Sequence, residues 1–228
     1  MTTDVKRGVR QRRTQAERSS RTKAKLLEAT IELLVEIGYA ATSTNDVARR
    51  AGLSRGAQVH HFPRKADLVV AAIEHLARKH REILLAKMEL LPEDKTRTEV
   101  ALRSLWEVYR SPLFVASMEL RSAARTDPEV RKAQIRMNET LAVPTLNEFC
   151  AALLGPVACQ DKALVAKVKL CSVFVNGLAI VRSDMGDAWC ARQIKVWAEM
   201  LSPLIEDARS GRRGPAHPGE EPQKPQGQ

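Results

Sequence analysis

An all-α fold is predicted, with an N-terminal helix-turn-helix three-helix domain followed by a larger C-terminal helical domain. Three observations predict it. Apolar residues recur at three- and four-residue spacing along most of the chain, and no stretch alternates apolar and polar residues as a half-buried strand would. Good helix formers dominate the composition, while aromatic residues make up only 4%. Helix punctuation also repeats: glycines close apolar stripes, and Ser-Pro and Asp-Pro pairs open new ones.

The elements follow in order. Residues 1–14 are polar, basic and aperiodic, and are read as a flexible arm. A first helix is expected from Gln15 to Ile37, with Leu26, Thr30, Leu33, Leu34 and Ile37 on one face and Gly38 as a left-handed stop. A second begins at Ser43 or Thr44, either of which can cap it, turns Val47, Ala48 and Ala51 inward, and ends at Gly52. Ser54 then caps a short third helix. Two helices joined by three or four residues containing Gly form a helix-turn-helix. The domain is placed at 15–65, and the remainder, 66–209, is read as one helical domain entered through a linking helix, 66–91. That helix starts beside Lys65, carries Val69, Ile73, Leu76, His80 and Ile83 as its stripe, and stops before Pro92. Pro112 and Pro128 occupy first helical positions behind Ser111 and Asp127. Pro144 is expected to kink or break the helix begun at Pro128. A helix over 161–181 is apolar nearly all round and must be covered on several sides. A last helix spans 188–209, and residues 210–228, rich in Pro, Gly and charge, are expected to be disordered.

Charge narrows the partners. Residues 1–65 hold fourteen basic and six acidic residues, a net +8 of the chain's +10. A basic excess confined to the first third attracts a polyanion, nucleic acid first and an anionic membrane surface second. A solvated basic face is the plain alternative. A helix-turn-helix lays its second helix in the major groove of DNA. Ser54 can cap and donate to a phosphate. Gly56, costly inside a helix, permits close backbone approach. Ala57 and Val59 suit a thymine methyl, and Gln58 can read adenine. His60, His61 and Lys65 can bind phosphate, and Arg55 is counted with them. Against these stand a tolerated glycine at 56, a core role for Val59, and one histidine packed inside.

The stretch "TSTNDVARRAGLSRGAQVHHFPRKADLVVAAIEHL" resembles the DNA-binding domain of the tetracycline-repressor (TetR) family of bacterial transcription regulators. The similarity covers about residues 20–78, and "MELRSAARTDPEVR" resembles one subgroup more weakly. The resemblance implies an all-helical homodimer that binds an inverted repeat in double-stranded DNA, with a C-terminal helical ligand-binding and dimerisation domain. It implies DNA-contact positions at Thr44, Ser54, Gly56, His60, His61 and Lys65. At 58 and 59 the family more often carries Leu-Tyr. The loss of that tyrosine removes one usual phosphate contact and makes Gln58 the candidate base reader.

The second domain is the expected seat of a small-molecule effector. Asn176, polar within an apolar helix, is the suggestive lining residue, with Trp106, Phe114, Met118, Phe149 and Phe174 beside it; a buried amide bonded to a neighbouring helix is the alternative for Asn176. Val168, Cys171, Val175, Gly177, Trp197 and Leu201 are expected at a two-fold interface, an intramolecular core being the alternative. Cys150, Cys159, Cys171 and Cys190 match no zinc spacing and are read as reduced thiols of a cytoplasmic protein. No metal or cofactor is expected, no enzyme constellation is found, and no signal peptide or membrane-spanning run is expected. The reading is a sequence-specific regulator, most simply a repressor released by a small molecule. The alternative is a DNA-binding protein without such an effector, controlled by a protein partner or organising DNA.

Overall fold

The computed structural model describes residues 14–211, so the basic arm and the tail lie almost wholly outside the described residues. Within them the chain forms ten α-helices and no strand. In order these are α1 (Gln15–Ala41), α2 (Thr44–Arg50), α3 (Arg55–His61), α4 (Lys65–Glu89), α5 (Arg97–Tyr109), α6 (Pro112–Ala123), α7 (Pro128–Met137), α8 (Val143–Ala158), α9 (Lys162–Met185) and α10 (Asp187–Arg209).

The capping chemistry sets the starts. Thr14 and Glu17 form a reciprocal capping box at α1: the Thr14 hydroxyl accepts from the Glu17 amide at 3.2 Å, and the Glu17 carboxylate accepts from the Thr14 amide at 2.9 Å. Ser43, rather than Thr44, caps α2. Ser111 accepts from the Leu113 amide at 3.2 Å, and Asp127 accepts from those of Glu129 and Val130. These bonds satisfy donors that no helical carbonyl can reach. The α-helix begun at Pro128 is interrupted ahead of Pro144. A π turn, Asn138–Ala142, precedes it and joins α7 to α8. The wider turn accommodates a residue that has no amide hydrogen to donate.

The chain divides into two compact units. The first holds residues up to His75 together with Ala116–Lys132, and the second holds Leu76–Val115 and everything from Ala133. The first unit therefore extends past residue 65. Leu68 and Ala72 of α4 complete a core with Leu26, Leu27, Ala29, Leu33, Val47 and Phe62. Ile37, expected in this stripe, is exposed, since α1 has by then run past the cluster. In α4 the buried residues beyond Ile73 are Leu84 and Met88, and Ile83 is exposed.

The second unit is a helix-on-helix core. Trp106, Phe149, Leu153, Val168, Cys171, Val175, Cys190, Ile194, Ala198 and Leu201 pack in one cluster. Its edge is tied by Arg97, whose guanidinium donates to the carbonyls of Pro92 (3.0 Å) and Ala152 (2.7 Å). Two segments, Pro128–Ala158 and Lys162–Met185, are long and apolar enough to cross a membrane by length and composition, which the sequence reading did not anticipate. For α9 part of that apolarity is spent on the core, through Leu164, Val168, Cys171, Val175 and Leu178.

Candidate nucleic-acid interface

The short α2 is held from outside. Ser43 accepts from the Asp46 amide at 3.1 Å and donates to the Asp46 carboxylate at 2.5 Å. That bond, more than the Arg49 guanidinium beside it, keeps the Asp46 carboxyl below its ordinary range. Arg50 grips Glu36 of α1 through two parallel bonds, 2.9 and 2.7 Å, and reaches Glu32 at 3.2 Å. Arg50 is thus a tie between α1 and α2. Thr44, in the first turn of α2, is half-buried.

The turn into α3 passes through Gly52, whose φ of 65° is the left-handed region. Ser54 caps α3 by accepting from the Ala57 amide at 3.2 Å. Seven residues make two faces. Arg55, Gly56, Val59 and His60 are exposed, whereas Ala57 and His61 are half-buried and Gln58 is buried. At 100° per residue the exposed four fall on one side and the others opposite. Around Gly56 the space is open, with only the Ser54 hydroxyl within 4 Å of where a Cβ would stand. His60 and His61 meet edge to face at 5.2 Å.

Two expectations are corrected here. Gln58 is not on the exposed face. It is 1% exposed, its Nε2 donates back to the Phe62 carbonyl at 2.5 Å, and its Oε1 is buried without a partner. A side chain packed this way cannot reach a base edge. Val59, weighed as a core residue, is 45% exposed instead. The reason is position: one residue on a helix is 100° of rotation, and Phe62 turns position 58 inward because i and i+4 share a face. Lys65 is tied to the end of α1. Its Nζ donates to the carbonyls of Tyr39 (2.5 Å) and Ala40 (3.4 Å) and lies 4.2 Å from the Tyr39 ring centre. Burial pulls its pKa down. Lys65 thus satisfies the carbonyl end of α1 with two of the three donors of its ammonium group.

The backbone at the end of α1 is constrained from both sides. Gly38 has φ 76° and ψ 173°, a region essentially restricted to glycine, and α1 bends there before one last turn. The Tyr39 amide donates to Glu119 of α6 at 2.6 Å, and a Cβ on Gly38 would stand 2.9 Å from the same carboxylate oxygen. Tyr39 is therefore held at its amide by Glu119 and at its carbonyl by Lys65. Sequence reasoning placed a stop at Gly38, where α1 instead bends, and had no signal for Glu119, which lies 80 residues away.

In the second unit the structure sorts the remaining candidates. Trp106 and Phe149 are core, and Phe114 and Phe174 pack half-buried against the same cluster. Phe174 stacks on Trp197 at 4.9 Å, and the Trp197 Nε1 donates to the Cys171 sulfur at 3.3 Å. Asn176 is half-buried on α9, and Met118 belongs to the first unit. Of the residues expected at a two-fold interface, Val168, Cys171, Val175 and Leu201 are buried within this subunit, and Trp197 packs against the same core. They face inward because they form the inner stripe of their helices. Gly177 alone of the six is exposed. The outer stripes are Leu170, Val173, Gly177 and Ile180 on α9, about opposite its buried stripe, and Val196, Met200 and Leu204 on α10, about 120° round from its own. Among the described residues no group of three His, Cys, Asp or Glu side chains is disposed to hold a metal.

A capped seven-residue helix with one solvent-facing side, set behind a glycine turn and buttressed by a long first helix, defines a helix-turn-helix DNA-binding domain. Residues 26–72 match the profile described as "Bacterial regulatory proteins, tetR family". An uncharacterized HTH-type transcriptional regulator of Mycobacterium tuberculosis is 29% identical over 170 residues, 75% of this chain and 87% of that protein. The HTH-type transcriptional regulator CymR of Pseudomonas putida is 41% identical over 122 residues, 53% of this chain and 60% of that protein. In fold, the chain is similar to a TetR-family member from Streptomyces coelicolor, with a TM-score of 0.57, 22% identity, and coverage of 81% of this chain and 98% of that one. Residues 26–72 thus carry a DNA-binding domain like that of TetR-family regulators, and the chain is a DNA-binding transcriptional regulator.

Proposed function

We propose that the chain is a homodimeric repressor that binds an inverted-repeat operator and is released from it by a small apolar or amphipathic molecule bound in the second unit. The observation that carries the reading is the second apolar face of α9 and α10. Val173 is 66% exposed and Met200 61%, on helices whose inner stripes already fill a core. A continuous apolar stripe with small Gly177 at its middle suits a second copy of the same helices. One short recognition helix reads few base pairs, so two copies related by a two-fold axis make a usable site. Release is supported by chain continuity: α4 and α6 each contribute residues to both compact units, so a molecule that repositions either helix in the second unit acts on an element of the first. A hundredfold loss of operator affinity needs only about 2.7 kcal/mol of coupling.

The test begins with selection from randomised duplexes. The enriched sequence is expected to be an inverted repeat carrying two chains, and a lone half-site bound by one chain at full affinity would refute the dimer. Compounds that raise the melting temperature are then titrated with and without that duplex. Reciprocity requires the duplex to weaken the compound by the factor the compound weakens the duplex. Equal affinities would refute release by that compound.

A further inference from the structure

We infer that Arg55 and Val59 are the base-reading pair of this protein, and that each operator half-site carries a guanine for Arg55 and a thymine for Val59 within about two base pairs of one another. The inference rests on the DNA-binding reading above and adds the base content of the site. Its ground is the division of α3 into two faces. With Gln58 folded into the core and Lys65 engaged at the end of α1, the outward side chains of α3 are those of Arg55, Val59 and His60, beside the bare backbone of Gly56.

Arg55 and Val59 are four residues apart, hence on one edge of the helix and about 6 Å apart along it. Base pairs are spaced by about 3.4 Å, so the two side chains span roughly two steps. Their chemistry differs in kind. The Arg55 guanidinium has a planar fork of donors that fits the O6 and N7 acceptors of guanine, the commonest specific contact in the major groove. Val59 has no donor or acceptor and distinguishes bases only through the C5 methyl of thymine. A branch as short as valine reaches that methyl only when the helix lies close in the groove. Gly56 allows this, since nothing but the Ser54 hydroxyl lies near its missing side chain. His60, on the other edge and exposed, is 100° around from Val59 and faces the groove wall.

The experiment uses the full chain and a randomised duplex library. The enriched half-site is expected to contain a G·C and a T·A pair one or two steps apart. Uracil is then placed for that thymine, which deletes the methyl and changes nothing else. Binding of the wild-type chain should weaken about fourfold per half-site, the worth of one buried methyl group. Val59→Ala should bind the thymine and uracil duplexes alike. Arg55→Ala should lose between about 5- and 150-fold of its preference for G·C at the paired position while keeping its preferences elsewhere. A half-site without thymine there, or a uracil duplex bound as tightly as the thymine duplex, overturns the assignment of Val59. Arg55→Ala with an unchanged base preference overturns that of Arg55. The uracil arm needs no variant, so it stands if a substitution impairs folding. A library from which no sequence is enriched overturns the DNA-reading function and this code with it; an enriched half-site without the pair overturns the code alone.

Discussion

Gln58→Leu is expected to stabilise the protein without altering which bases it reads. Gln58 sits in the first unit's core at 1% exposure, with one polar atom bonded to the Phe62 carbonyl and the other without a partner. A buried acceptor left unsatisfied costs about 1–3 kcal/mol. Leucine removes that cost and adds apolar burial, which for a full side chain contributes about 1.5–3 kcal/mol relative to exposure. Against this stands the loss of the bond to Phe62, about 0.5–1.5 kcal/mol, and a carbonyl that must find water or another donor. The net is a gain of about 1–2 kcal/mol, which raises the melting temperature by about 2–8 °C in a chain of this size. Thermal melting followed by circular dichroism measures the first half of the claim, and competition binding against single-base operator variants measures the second. A destabilised variant would show that the amide makes bonds beyond the one to Phe62. A loss of discrimination confined to one base pair would show that Gln58 leaves the core on DNA and reads it after all.

The remaining expectations follow from the same geometry. Gly38→Ala should cost about 1–3 kcal/mol from backbone strain alone, and Glu119→Ala a comparable amount, because the Tyr39 amide loses its acceptor; Glu119→Gln, which can still accept, should cost clearly less. Denaturant titration of the three variants orders them, and an Ala variant at 119 as stable as the wild type would remove the proposed hold on α1. Val173→Glu and Met200→Glu should yield folded monomers by sedimentation, whereas Leu201→Glu should unfold the second unit; a dimer of unchanged mass in the first two places the interface elsewhere. Burial pushes the Cys150 and Cys171 thiols up to about 11, so at pH 8 both should resist a thiol reagent that labels Cys159, the one half-exposed cysteine. The protonated thiols favour the folded state, so stability should fall as pH rises from about 8.5, where unfolded thiols ionise, towards 11. Rapid labelling of all four native thiols would contradict the packing.

Much of the fold was legible in local chemistry. Gly52, Ser54, Ser111-Pro112 and Asp127-Pro128 mark helix ends through effects within a few residues, and each stands where the sequence placed it, whereas Gly38, expected as a stop, is a bend after which α1 makes one more turn to Ala41. Pro144 marks the interruption between α7 and α8, but no residue type announces that it takes the form of a π turn. Position was harder than identity. The sequence marks 54–61 as a DNA-facing helix, but whether 58 or 59 points out depends on which side Phe62 and Val47 present to α1. Likewise α9 is apolar all round, and only packing decides that Val168, Cys171 and Val175 fill this subunit while Val173 and Ile180 are left outside.

By itself, then, the sequence determined the helix-turn-helix, its preference for a polyanionic partner and the all-α class, because capping, turn conformation, periodicity and charge are all read locally. The tertiary structure decided what Gln58, Lys65 and Glu119 do. A long flexible side chain binds whichever partner folding brings within 3 Å. For Lys65 that is a carbonyl 26 residues away, and for Glu119 an amide 80 away. No local pattern encodes such distances, since they exist only once helices distant in sequence have packed.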